Sequence, residues 1–446
     1  MRFQFPHALT LLVAGIVLAA ALSHILPAGE YDRRDDPATG RKVVVAGTYH
    51  AVPSQPVGVF QTLVGIPRGM ADAGSIIFMV FISGGAFTVI DQTGALRDAV
   101  GWLVRKLQRR KVLVIPIVCI LFALGGAIEN TQEEIIALVP VLLLLTRRLG
   151  YDALTAVAMS MGAAAIGAAF SPCNPFQVII AQNLAQLPLV SGAAFRMVFL
   201  TIAVLLWIAW TIRHATRTQT AADHSDQDGE EGFDLRKILV LAVVIVSFSI
   251  FVYGVVHLGW DFDQMSALFF AMGVAAGLVG RLGIDGTARA LVEGFKSMAF
   301  AALLIGFARA IFIVMGEGKI VDTVVNGLVT PLGHLPVALS ALGMMIVQTF
   351  IHFPVPSVSG QAVLTMPVLV PLSDLLGLSR QVTVLAYQYG AGLCELLTPT
   401  NGALMAIVAA AGVRFEQWLK FVFPIYLMIF ALGAVAVFLG IALGLK

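Results

Sequence analysis

The stretch Thr398-Pro399-Thr400-Asn401-Gly402 interrupts an apolar run that extends from about Val382 to Val413. Proline removes a backbone donor and glycine loosens the turn, so a membrane helix must open there and release N–H and carbonyl groups. Inside a bilayer such groups persist only where they line a cavity, meet protein or bind a guest. A second interruption of the same kind, Ser171-Pro172-Cys173-Asn174-Pro175, lies 227 residues earlier.

That offset also superposes Pro140-Val141-Leu142 on Pro367-Val368-Leu369 and Leu149-Gly150 on Leu376-Gly377 without a gap. Ten of the 37 positions from Pro140 to Phe176 are identical in this register, more than apolar composition alone should give. Paired proline-asparagine breaks in matching halves are the mark of a secondary transporter built from repeats.

The chain has 446 residues, 59% of them hydrophobic and 12% charged, with mean hydropathy +0.91. A soluble domain carries about 25% charge, so an all-α polytopic membrane protein is expected. Net charge +2 says little about partners beyond the lipid bilayer, and no nucleic acid is expected. Cys119, Cys173 and Cys394 sit in apolar segments without metal-ligand spacing.

Taken in order, span one covers His7 to Leu26 and a polar loop runs from Gly29 to about Pro56. An interfacial piece, Val57–Ala71, precedes span two, Ile76–Asp91. Arg105-Lys106-Leu107-Gln108-Arg109-Arg110-Lys111 carries five positive charges in seven residues. It places that loop, and with it the N-terminus, on the cytoplasmic side of the membrane. The arms Val112–Ile128 and Ile135–Thr146 flank a polar tip, Glu129 to Glu134. A dozen residues cannot cross a bilayer, so a re-entrant hairpin over 112–146 is expected. A broken helix follows over 152–187, then Ala194–Ile212 completes a first repeat, 1–217.

A polar linker and a connector, Ile238–Leu258, occupy 218–264 and invert the second copy, 265–446. There Leu291–Met298 stands for the interfacial piece and Ala299–Gly316 for span two. A second hairpin, 337–376, and a second broken helix, 380–412, complete the pattern. The sum is about nine transmembrane helices, two re-entrant hairpins and two broken helices. One feature runs against the charge rule: Arg33, Arg34, Arg41 and Lys42 would face outside.

Several motifs carry a resemblance: Pro27-Ala28-Gly29-Glu30-Tyr31, Asp36-Pro37-Ala38-Thr39-Gly40-Arg41, Gly84-Gly85-Ala86-Phe87, Ser359-Gly360-Gln361-Ala362 and Leu364-Thr365-Met366-Pro367. In combination they resemble the YfcC-like family of basic amino-acid antiporters. That family is related to the DcuC-type dicarboxylate carriers of the ion-transporter superfamily. The resemblance spans nearly the whole chain. The repeat pattern also looks like transporters that work as dimeric elevators, which implies a homodimer and mobile hairpins.

For the site itself, each break starts a half-helix whose N-terminus suits a carboxylate. The freed carbonyls suit sodium equally well. Ser171, Asn174, Thr398, Thr400 and Asn401 supply side-chain oxygens in either case, so a sodium ion at Asn174 or Asn401 stays open. Ser357, Ser359 and Gly360 at the second tip add hydroxyls and close backbone approach. Asn130 and Thr131 with Glu129, Glu133 and Glu134 form the first tip, where carboxylates would attract an ammonium or guanidinium group or carry a proton. Arg309, mid-span, requires a carboxylate; Glu395 is its expected partner, a substrate carboxylate the other.

These features point to a secondary carrier for a small amino-acid-like solute, a basic amino acid first, with a four-carbon dicarboxylate as the alternative. Na+ or H+ is the expected coupling ion and no cofactor is implied. An enzyme is disfavoured, since the chain lacks H-E-x-x-H and a Ser/His pair at useful spacing.

Overall fold

The computed structural model describes residues 7–445, apart from 37–40, 46, 97, 100–107, 130–131, 221–233, 259 and 261. The expected basic loop at 105–111 and linker at 218–234 therefore lie partly outside the described residues. Seven described helices are long and apolar enough to cross a membrane, and three shorter ones are predominantly apolar. The protein is an all-α polytopic membrane protein.

Three helices open the chain: α1 (Ala8–Ile25), α2 (Val59–Asp72) and α3 (Gly74–Gln92). Between α1 and α2 the polar loop folds into two small antiparallel ribbons. In one, β1 (Gly29–Glu30) pairs with β4 (His50–Ala51); in the other, β2 (Arg33–Asp36) pairs with β3 (Arg41–Val44). Sequence reading expected only a loop there. The polar alternation is short and the ribbons are held mainly from outside, by the helix that follows Lys319.

α3 packs on α10 (Phe262–Val279) and α11 (Gly283–Glu317), with α9 (Leu235–Leu258) against α10. Aromatic contacts seal this group, Phe251 lying 5.8 Å from Phe269 between ring centres. The separate pieces expected at Leu291–Met298 and Ala299–Gly316 are one continuous helix, the 35-residue α11, about 52 Å long. Nothing between them breaks a helix, whereas in the first half Ala73 takes φ −90°, ψ 11° and kinks α2 away from α3. α11 runs antiparallel to that kinked pair. Gly69 meets the backbone of Gly306 and Ala310, Gly294 meets Gly84 and Gly85, and Gln92 hydrogen-bonds Glu293 at 2.7 Å. Small residues allow the backbones to approach, the usual basis of packing between membrane helices.

The second group holds the hairpins. α4 (Val114–Glu129) and α5 (Glu133–Leu149) occupy the segment expected as the first, and α13 (Val337–His352) and α14 (Val358–Leu375) the segment expected as the second. The short second arm expected at Ile135–Thr146 is a 17-residue helix instead. Glu133 and Glu134 sit favourably in its first turn, and Arg147 and Arg148 complement the dipole in its last. The broken helices are α6 (Ala153–Ala169) followed by α7 (175–184), and α15 (Arg380–Cys394) followed by α16 (Gly402–Ala410). α8 (Ala193–Thr218), α12 (Val321–Val329) and α17 (Phe415–Ala442) complete the fold.

Entry into each broken helix is built alike. Gly150 (φ 81°) and Gly377 (φ 68°) turn the chain in the left-handed region, where only glycine is unstrained. Tyr151 N donates to Thr146 O and Leu378 N to Ser373 O, both at 2.8 Å. Asp152 and Ser379 then cap α6 and α15. Every one of these pairs is separated by 227 positions.

Candidate functional site

α6 ends at Ala169 and α7 starts after Asn174, because Pro172 and Pro175 lack donors and the intervening turn cannot stay helical. α15 ends at Cys394 and α16 starts after Asn401. Each asparagine caps its half-helix. Asn174 Oδ1 accepts from Phe176 N and Gln177 N at 2.9 Å, and Asn401 Oδ1 accepts from Leu404 N at 3.1 Å.

The other half of each break is tied to a hairpin. Asn174 Nδ2 donates to Gly126 O at 2.8 Å, and Ser171 Oγ donates to Ala127 O at 2.6 Å while accepting from Asn174 N. Thr400 Oγ1 donates to Phe353 O at 2.8 Å. Gly126 and Phe353 are themselves 227 apart, at the same place on α4 and just beyond α13. Thr398 is fully buried and spends its hydroxyl on Cys394 O at 2.8 Å. These polar side chains therefore hold the interrupted backbone in place. The oxygens expected to ligate sodium at Asn174 and Asn401 already accept backbone N–H groups.

The two broken helices cross immediately before their breaks. Gly392 lies so close that an added Cβ would stand 3.0 Å from the Ala169 Cα and 2.6 Å from Gln177 Oε1. Tyr389 stacks on Phe170 with ring centres 4.5 Å apart, and Gln388 Nε2 donates to Ser171 O at 2.8 Å. The first hairpin tip reaches across to the second break. Gln132 donates to the Glu395 carboxylate, and Asn401 Nδ2 approaches Gln132 Oε1 at 3.4 Å. Glu133, half-buried, is within electrostatic reach of Glu395. Asn130 and Thr131 lie outside the described residues.

Arg309 does not meet Glu395. It pairs with Asp72 at the end of α2 and lies over the Phe312 ring, 5.3 Å from its centre. α11 presents Arg309 toward the kink where α2 ends, and a partner 237 positions away leaves no trace in local spacing. Glu395 thus stays 5% exposed with an amide as its hydrogen-bond partner and no basic side chain in ion-pair contact among the described residues.

Sequence reading missed Gln132 and, more seriously, Arg196. The Arg196 side chain is fully buried in the first turn of α8, where the helix dipole disfavours a cation. Nε donates to Gln388 Oε1 at 3.0 Å, Nη1 to Ser191 O at 2.8 Å and Nη2 to Gln381 Oε1 at 2.9 Å. All three acceptors are neutral. An arginine placed four residues into an apolar segment was the available signal.

At the second tip, Ser357 caps α14 by accepting from Gly360 N at 3.3 Å, and Ser359 is half-buried in the same turn. Behind them Gln348 donates to Thr365 at 2.8 Å and His352 Nδ1 meets Gln361 Oε1 at 2.9 Å, a structural network between the hairpin arms.

The family profile described as C4-dicarboxylate anaerobic carrier, DcuC, matches residues 5–442. An Escherichia coli K12 protein described as "Putative basic amino acid antiporter YfcC" is 32% identical over 98% of this chain and 96% of its own length. A Haemophilus influenzae protein of uncharacterized role is 28% identical over 99% and 98% respectively. Among solved structures, the Alcanivorax borkumensis YdaH transporter aligns with TM-score 0.45 at 18% identity, covering 98% of this chain and 99% of its own. Neisseria gonorrhoeae MtrF aligns with TM-score 0.41 at 17%, covering 97% and 95%. Matched along almost its entire length, the chain belongs to the DcuC family of carriers.

Proposed function

We propose that the protein exchanges a small zwitterionic solute, a basic amino acid, through a site formed where the two breaks cross. The carrying observation is a pair of buried, opposite charges, each lacking an ionic partner among the described residues and each wired to one break. Arg196 reaches Ser171 through Gln388. Glu395 stands at the second break, held by Gln132. Unpaired charge at membrane depth is costly and is retained where a guest completes it.

In this reading the solute carboxylate is drawn toward Arg196 and the dipole of α7, whose first N–H groups stay with Asn174. The cationic end approaches Glu395 and Glu133. A proton on Glu395 would replace that cation when the site is empty, making H+ the preferred coupling ion over Na+. A dicarboxylate would meet Arg196 favourably but would bring a second negative charge to Glu395.

The hairpins are bonded to the breaks and pack with them, whereas α2, α3, α9 and α10 pack chiefly among themselves and against α11. That division supports an elevator in which the hairpin group slides along α11, in a homodimer set in the inner membrane with a cytoplasmic N-terminus. The matched turns and caps around the broken helices, at an offset of 227, support a repeat within 1–217 and 265–446.

Proteoliposomes loaded with arginine or ornithine are expected to exchange labelled arginine for external amino acid, and to accumulate little labelled succinate. Exchange of succinate alone would overturn the amino-acid reading and favour the dicarboxylate carrier.

A further inference from the structure

The basic residues of the β2–β3 ribbon contradict the charge rule for an outside loop, and the transport site makes no use of them. The fold gives two of them, Arg33 and Lys42, a common destination. Arg33 and Lys42, from the ribbon, line a cavity of about 340 Å³ together with Arg309 from α11 and Ser357, Gly360 and Val363 from the second hairpin. No carboxylate lines it among the described residues. The acids that partner two of the cations lie outside its wall. Asp322 is 3% exposed behind Arg33, bonded at 2.8 and 2.9 Å, and Asp72 faces Arg309 from α2.

The ribbon is fixed in place rather than draped. Tyr31 N donates to Asp322 at 2.9 Å, the Tyr31 hydroxyl donates to Asn326 at 3.0 Å, and Gly29 N donates to Lys319 O at 3.0 Å. β3 lies directly against α14. Arg33 and Arg309, each paired with an aspartate, are therefore held at set positions over the tip of the second hairpin. Lys42, unpaired among the described residues, adds the excess positive charge in a concave space of ligand size.

We propose that this cavity is an anion-collecting vestibule: a second binding site that takes the carboxylate of an organic acid or amino acid before the solute reaches the crossing of the breaks. Lys42, exposed and without an ion-pair partner among the described residues, supplies the adjustable part of the field. Convergent cations above low-dielectric walls raise local anion concentration and the rate of capture. The proposal extends the transport reading but does not require arginine to be the cargo.

The test uses purified full-length protein in detergent and measures cysteine labelling rather than transport. Val363→Cys, and separately Val321→Cys in the same wall, are reacted with a sulfonate-bearing and an ammonium-bearing thiosulfonate reagent. The rates are corrected for the parent chain, whose exposed thiol is Cys173. Relative to their rates on a free thiol, the anionic reagent is expected to react about tenfold faster. That preference should collapse in a Lys42→Glu background and shrink in about 0.5 M salt. Arginine or succinate should slow labelling, and agmatine, which lacks the carboxylate, should not. Equal or cation-preferring labelling at both positions, or a preference untouched by Lys42→Glu, overturns the vestibule. Anion preference in a protein that exchanges no arginine would keep the vestibule and discard the amino-acid cargo.

Discussion

Arginine exchange is expected to fall about 100-fold or more when Glu395 is replaced by glutamine, while the melting temperature of the purified protein stays the same or rises. Both halves have one cause. Glu395 is buried beside the second break with Gln132 as its partner and no cation in contact among the described residues. Removing one member of a buried charge pair costs about 2–5 kcal/mol, and about 2.7 kcal/mol is a factor of 100 in rate. That loss is felt only when the solute supplies the other member. In the empty protein, where Glu395 carries a proton in this account, the substitution exchanges one neutral side chain for another of the same shape, which is neutral or slightly stabilising. Radiotracer exchange in proteoliposomes and a thermal unfolding scan in detergent check the two halves. A variant that transports normally, or one that loses transport only by unfolding, contradicts the assigned role.

The second large effect is structural. Gly126 and Gly167 bring α4 and α6 into backbone contact. A Cβ on Gly167 would lie 2.0 Å from Ala123 O and a Cβ on Gly126 would lie 2.0 Å from Ala164 O. Neither obstacle is a side chain that can turn away. Gly167→Val must part the helices and pull Gly126 O and Ala127 O from Asn174 and Ser171. A loss of about 3 kcal/mol or more is expected, seen as a fall in melting temperature and in the yield of monodisperse protein. Gly316→Ala, on α11 with nothing within 4 Å, serves as the comparison and should be neutral or slightly stabilising. Equal behaviour of the two variants would remove close helix approach as the reason the first break is held.

Much of this was legible because it is written in local chemistry. Pro172 and Pro399 announce missing donors, and Asn174 and Asn401 announce caps. Gly150 and Gly377 stand out as a matched pair, although their left-handed turns show only in the backbone, and the expected short second arm is a 17-residue helix. What was illegible depends on who meets whom. Arg309 finds Asp72, not Glu395, because α11 lies along α2 in a register set by glycines far apart in sequence. The continuity of α11 was missed because a helix that leaves the bilayer core keeps the same periodicity. Asn174, Ser171, Thr398 and Thr400 read as ligands, yet their hydrogen bonds are spent holding the breaks to the hairpins or closing a helix end. The proposed chemistry rests instead on Glu395 and on Arg196, whose burial could not be deduced from its neighbours in the chain.

The most direct measurement is an electron cryomicroscopy map of the protein in lipid nanodiscs with saturating arginine. Solute density is expected where α6 and α15 cross, its guanidinium within about 3.5 Å of Glu395 and its carboxylate toward the start of α7. Density elsewhere, or either break facing lipid with Glu395 paired to a protein cation, would contradict the shared site.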